Sequence, residues 1–260
     1  MDRSRFLVAA FFTITTLAAA TRAEPIPVTH LQLPRHASMV ARFETGKIIA
    51  RVEFTETVQG DEVTMRLTYR FLDGSIDDET TTYSQQGTFR LIRNHHIQNG
   101  PFFATPVDFT VDAATGTATS RPVEKNGKIR VESTHIDLPD DLTNGFVGTL
   151  LVNVPPNTAP FRVGILVPVF GGRLIRILIS SDGEQPFQKA GQTLEATVFR
   201  IHPELGGFLG MIATLVGIQP KDVMVWVLEG ERPAVMRVVG QLGGFGPVIS
   251  SELEGTSFGK

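Results

Sequence analysis

Val63-Thr64-Met65-Arg66-Leu67-Thr68-Tyr69-Arg70-Phe71 alternates apolar and polar residues without a break. A strand sends successive side chains to opposite faces, so the stretch predicts a β-strand with one buried and one wetted face. Ile48, Ala50, Val52 and Phe54 repeat the pattern upstream, and Gln59-Gly60-Asp61 between the two supplies a hairpin turn. Outward from this pair the period stays at two. Strands are expected near 75–83, 87–98, 106–112, 117–123 and 128–135, then at 160–170, 173–181, 193–202, 222–229, 233–240 and 247–254. Asp73-Gly74, Thr115-Gly116, Asn126-Gly127 and Asp182-Gly183 tolerate positive φ and mark turns. The expected organisation is an antiparallel meander.

Two stretches break the period. Leu138-Pro139-Asp140-Asp141 offers an acidic helix start, and Phe146, Val147, Leu150 and Leu151 fall on one helical face before Pro155-Pro156. A short helix is therefore expected within Asp140 to Val152. Leu205 to Ile218 carries no charge and four glycines. It is too short to cross a bilayer, and reads either as a buried helix or loop capping a barrel, or as a lip that touches lipid or a partner. The fold class is all-β and mainly antiparallel: a strongly curved sheet or half-barrel with one or two short helices. Residues 24–260 are expected to form a single β-rich domain.

Residues 1–23 read as a signal peptide. Arg3 and Arg5 precede the apolar run Phe6 to Ala20, and cleavage can follow Ala18-Ala19-Ala20 or Thr21-Arg22-Ala23. The expected destination is the bacterial periplasm or the exterior, with no transmembrane span once the leader is removed. The chain has 24 basic and 27 acidic residues, a net charge of −3, and losing the leader makes it more acidic. Nucleic acid is excluded as a partner for want of a basic face, and no polybasic cluster would hold the chain on anionic lipid. The absence of cysteine removes disulfides, a lipoprotein anchor, thiol catalysis and thiolate metal sites. Eighteen phenylalanines against two tyrosines and one tryptophan suggest a bulky, dry interior.

Chemistry-bearing motifs are few. Gly255-Thr256-Ser257-Phe258-Gly259 spells the serine hydrolase pattern, but only Lys260 follows, so no helix can form the required elbow. His95 and His96 are adjacent on an expected strand and so point to opposite faces, which prevents easy sharing of one metal ion. Asp73, Asp77, Asp78 and Glu79 fail the calcium-loop spacing and read as a solvated hairpin end. No phosphate loop or dinucleotide fingerprint is present, and no cofactor is implied. Trp226, in a run apolar on both faces, reads as part of a buried central strand. The candidate ligand-contacting residues are His95, His96, Phe102, Phe103 and Trp226, with no catalytic or metal set.

Phe71-Leu72-Asp73-Gly74-Ser75-Ile76-Asp77-Asp78-Glu79-Thr80-Thr81, Phe89-Arg90-Leu91-Ile92 and His95-His96-Ile97-Gln98-Asn99-Gly100-Pro101 resemble a group of uncharacterised secreted bacterial proteins. So do Asp137-Leu138-Pro139-Asp140-Asp141-Leu142-Thr143-Asn144-Gly145 and Glu204-Leu205-Gly206-Gly207. The group brings no established activity and hence no site residues. Val225-Trp226, Pro233 and Gly246-Pro247-Val248 are laid out similarly to half-barrel envelope proteins, akin in outline to periplasmic lipoprotein carriers. That likeness implies a curved sheet.

Three functions remain. One is a non-catalytic binder of a hydrophobic small molecule, lipid-like ligand or envelope protein partner. Another is a secreted hydrolase that uses His95 or His96 as base with a carboxylate such as Asp108. The third is a structural envelope protein whose edge strands pair with partners.

Overall fold

The computed structural model describes residues 26–124, 126–169, 171–189, 191–206, 220–242 and 246–258. The expected signal peptide, residues 1–23, and almost all of the 205–218 stretch lie outside the described residues. The chain forms β1 (Arg35–Phe43), β2 (Ile48–Gln59), β3 (Glu62–Phe71), β4 (Ile76–Ser84) and β5 (Arg90–Asn99). Shorter strands follow: β6 (Val107–Asp112), β7 (Thr117–Ser120) and β8 (Glu132–His135). After helix α1 (Val147–Leu151) come β9 (Phe161–Val167), β10 (Arg173–Lys189) and β11 (Gln192–Glu204). β12 (Val223–Leu228), β13 (Ala234–Gln241) and β14 (Val248–Phe258) complete the described elements.

All fourteen strands belong to one antiparallel sheet, ordered β8-β7-β6-β5-β4-β3-β2-β1-β14-β13-β12-β11-β10-β9. Two meanders are thus joined where β14 pairs with β1, Ala41 opposite Ser251. The alternation in β3 is realised except in its middle: Val63, Met65, Tyr69 and Phe71 are buried and Thr64, Arg66 and Arg70 exposed. Leu67 is half-buried, and Thr68, which donates to Asp78 Oδ1, is buried on the outer face. The sheet is strongly curved. β3 and β14 are three places apart, about 14 Å in a flat sheet, yet Tyr69 Oη and Ser251 Oγ are 3.2 Å apart.

The sheet does not close into a barrel, because β8 and β9 end it without pairing to each other. Residues 136–146 form a strap across that gap. Ile136 N–H donates to Gly116 O beside β7. At the other end Thr143 N–H donates to Gly164 O, and Asn144 bonds both the N–H and C=O of Leu166 at 2.8 and 2.7 Å. The strap thereby satisfies backbone groups on the open edge of β9. Its Gly145 has φ +77° and lies so close to β4 and β5 that a Cβ would stand 2.0 Å from Thr81 Oγ1, so only glycine fits.

This strap corrects the expected helix. Asp140 and Asp141 do not cap it, because the backbones of Asp141 and Thr143 are already hydrogen-bonded to Gly164. The helix begins only after Gly145 and has no side-chain N-cap. Its residues Leu150 and Leu151, together with Phe146, are almost completely buried against Tyr83, Phe89, Val163, Ile179 and Phe199. Each such burial stabilises by about 1.5–3 kcal/mol, so this end of the concavity is packed with the protein's own side chains.

Candidate ligand-binding site on the concave face

The register of β3 to β6 decides where each polar side chain goes. Tyr69 pairs with Asp77 and Leu67 with Glu79; Asp77 pairs with Gln98, Glu79 with His96 and Thr81 with Asn94. All of these share the face of Val63, Met65 and Tyr83, which is the concave, core-bearing one. The acidic segment is therefore not a solvated hairpin end. Asp73 stays in the turn, where its Oδ1 accepts from Ser75 N–H, but Asp77 is buried and Glu79 half-buried inside the curve.

His96 Nε2 lies 3.0 Å from Asp77 Oδ1, and Gln98 Nε2 donates to Asp77 Oδ2 at 2.6 Å. Asn94 Nδ2 donates to Glu79 Oε1 and to Thr81 Oγ1, both at 2.9 Å. Asn94 Oδ1 is buried without a partner among the described residues. Burial alone pulls the His96 imidazole down, but the Asp77 hydrogen bond and the charges of Glu79, Asp77 and Asp78 outweigh it and raise it to about 9. Burial raises the Glu79 carboxyl above its ordinary range, opposed by His96 and Asn94. The Tyr69 hydroxyl is pushed up to about 12, first by burial, against the Ser251 bond, with Asp77 and Glu79 adding to the rise. The cluster thus holds an imidazolium between two carboxyls in a largely apolar interior.

An aromatic strip runs out from this cluster. Tyr69 stacks on Phe71 at 6.2 Å, Phe71 stacks on Phe102 at 4.2 Å, and Phe103 meets Phe71 edge-on at 5.5 Å. Phe102 and Phe103 are only half-buried. Their loop is fixed by Phe102 N–H donating to Ser75 Oγ at 2.9 Å. Three of the five candidate residues, His96, Phe102 and Phe103, therefore lie on one continuous inner strip.

The other two lie elsewhere. His95 faces the convex side, 3.0 Å from Asp108 Oδ1, where Arg121 also donates to Asp108 and to Thr110, each at 3.3 Å. All three ionic side chains are more than a third exposed, so the group is a surface network of small energetic weight. Trp226 is not in the main core. Val225 and Val227 occupy that face, while Trp226 is half-buried on the opposite one under the Arg237 guanidinium, 5.1 Å from its ring centre.

Two adjoining cavities of about 290 and 280 Å³ lie away from the strip, sharing Thr29, His30 and Pro233. Their main polar groups are already bonded within the fold. Asn153 Oδ1 accepts from Thr29 N–H and His30 N–H, at 2.9 and 2.6 Å. Glu56, whose side chain is fully buried, is ion-paired to Arg35 at 2.8 Å and accepts from Tyr83 Oη at 3.2 Å. Glu229 accepts from Thr197 Oγ1. The cavities are therefore read as crevices of the scaffold. No group of three metal-ligating side chains is found among the described residues. No helix among them is long and apolar enough to cross a membrane.

No family model and no curated protein matches the chain. Its fold is similar to that of the β-barrel-like protein of domain of unknown function DUF1849 from Brucella abortus. The TM-score is 0.50 at 8% identity, over 88% of this chain and 98% of that one. MucB in complex with MucA(peri) aligns much more loosely, with a TM-score of 0.20 at 12% identity over 85% and 89% of the two chains. The Pseudomonas aeruginosa MucA/MucB complex gives 0.21 at 12% identity over the same shares. The resemblance read in the sequence, to proteins of unknown function with a curved-sheet outline, is thus met in the fold. At these identities it extends to the fold alone.

Proposed function

We propose that the protein is exported to the periplasm or the exterior, and there holds an amphipathic, lipid-like ligand on the concave face without transforming it. One observation carries this reading: the half-buried Phe102 and Phe103, packed on the buried Phe71, lead through it into the charged cluster of Asp77, His96 and Glu79. An apolar chain laid along the aromatic rings removes them from water, while its polar end meets hydrogen-bonding groups already oriented by the sheet. Sheet register, not a flexible loop, positions that polar end.

A hydrolase that works through a serine or threonine nucleophile needs that hydroxyl beside its base. Both histidines have a carboxylate at 3.0 Å, but no serine or threonine hydroxyl is hydrogen-bonded to either ring among the described residues. That observation counts against a serine- or threonine-type hydrolase, and the aromatic strip favours binding over hydrolysis.

Calorimetric titration with single-chain amphiphiles of differing head groups tests the proposal. At least one head group is expected to bind saturably, and Phe102→Ala with Phe103→Ala to weaken that binding tenfold or more, since about 1.4 kcal/mol of lost contact suffices. Trp226→Phe, on the convex face, should leave affinity unchanged. Silence across the panel, or equal affinity in the double variant, would overturn the proposal.

A further inference from the structure

The hairpin of β7 and β8 continues beyond its ladder. Thr117 pairs with His135 and Ser120 with Glu132, and the same register sets Val123 opposite Ile129. Glu124 N–H donates to Lys128 O, and Arg130 N–H donates to Pro122 O. Backbone groups in an antiparallel strand alternate sides, so Ile129, Val131 and Ser133 direct theirs away from the hairpin. Because β8 ends the sheet, those groups line a free edge.

The edge is apolar as well as open. Val123, Ile129 and Val131 are 60%, 65% and 62% exposed and occupy one face of the arm, and Arg130 and Glu132 occupy the other. Edges of soluble sheets are normally covered or blunted by charge. The strap covers β9 in this way, whereas no described residue covers this stretch of β8.

We propose that this edge pairs with the same edge of a second copy, antiparallel about a two-fold axis through Val131. Charge selects both the occupant and the register. Within one copy Arg130 and Glu132 are ion-paired with each other. Centring on Val131 sets Arg130 opposite Glu132 of the second copy and, by symmetry, Glu132 opposite its Arg130. An axis through Ile129 would instead oppose Lys128 to Arg130, and one through Ser133 would leave Arg130 opposite Ile136. The Val131 register also exchanges the outward N–H and C=O of Val131 between copies and brings the exposed valines together.

Sedimentation velocity over a concentration series, using the full chain after export, tests this. A reversible monomer–dimer equilibrium is expected. Val131→Pro should abolish it, since it removes an outward N–H that the hairpin does not use, and its unchanged thermal melt confirms that the fold is intact. Arg130→Glu and Glu132→Arg should each weaken the dimer tenfold or more, and the two together should restore it. A monomer at every concentration overturns the proposal, as does a dimer insensitive to these single changes. Failure of the double swap to restore association overturns the register.

Discussion

His95 and His96 are neighbours in the chain and strangers in space. One imidazole lies among solvent-exposed ion pairs on the convex side, and the other is largely enclosed with Asp77 and Glu79. The difference follows from a strand's period of two and needs no further cause. It has a thermodynamic consequence for His96. Its folded value of about 9 lies above its ordinary 6.5, so folding favours the protonated ring. That stabilisation is full below 6.5 and is lost as pH rises through 9. Denaturant titrations across this window should show the native protein losing up to about 3 kcal/mol that His96→Gln does not lose. Parallel profiles for the two proteins would mean that His96 carries no such charge.

At the scale of elements, the strap explains how the open edge of β9 finds hydrogen-bond partners although the sheet does not close. Asn144 supplies two hydrogen bonds to Leu166, and Gly145 allows the chain to press on Thr81 and Asn94. Asn144→Ala should cost about 1–3 kcal/mol, because it leaves backbone groups of β9 without partners. Hydrogen exchange locates the effect: the Leu166 amide should lose protection while amides of β3 stay protected. Unchanged exchange at Leu166 would show that the strap does not hold that edge. None of this was legible in Asp137 to Gly145, whose acidic residues suit a helix start. The competing edge of β9 is supplied by residues about twenty positions later, which a local pattern does not register.

Across the whole molecule, the meander was legible because hairpin neighbours are close in sequence and each strand carries its own alternation. Two features were not. β1 has apolar residues on both faces and no regular period, since Val40 and Ala41 are both buried where the two meanders join. Asp182-Gly183 looks like a turn but is a bulge inside β10, where the register with β11 shifts between Ser181 and Glu184. For the site, His96 and the Phe102-Phe103 pair could be picked out as residue types. Asp77 and Glu79 were hidden by an acidic composition that suggests solvent. Their alternation with Asp78 and Thr80, on the face of Tyr83, was the available signal.

Packing by α1 confines the proposed ligand to the end of the concavity bounded by Phe71, Phe102, Phe103 and His96. Native mass spectrometry of protein purified from its own envelope tests that claim most directly. The account predicts a non-covalent adduct of lipid-like mass that is retained on gentle ionisation and lost from the Phe102→Ala, Phe103→Ala protein. A clean ligand-free mass, with no adduct formed on adding a lipid panel, would contradict it.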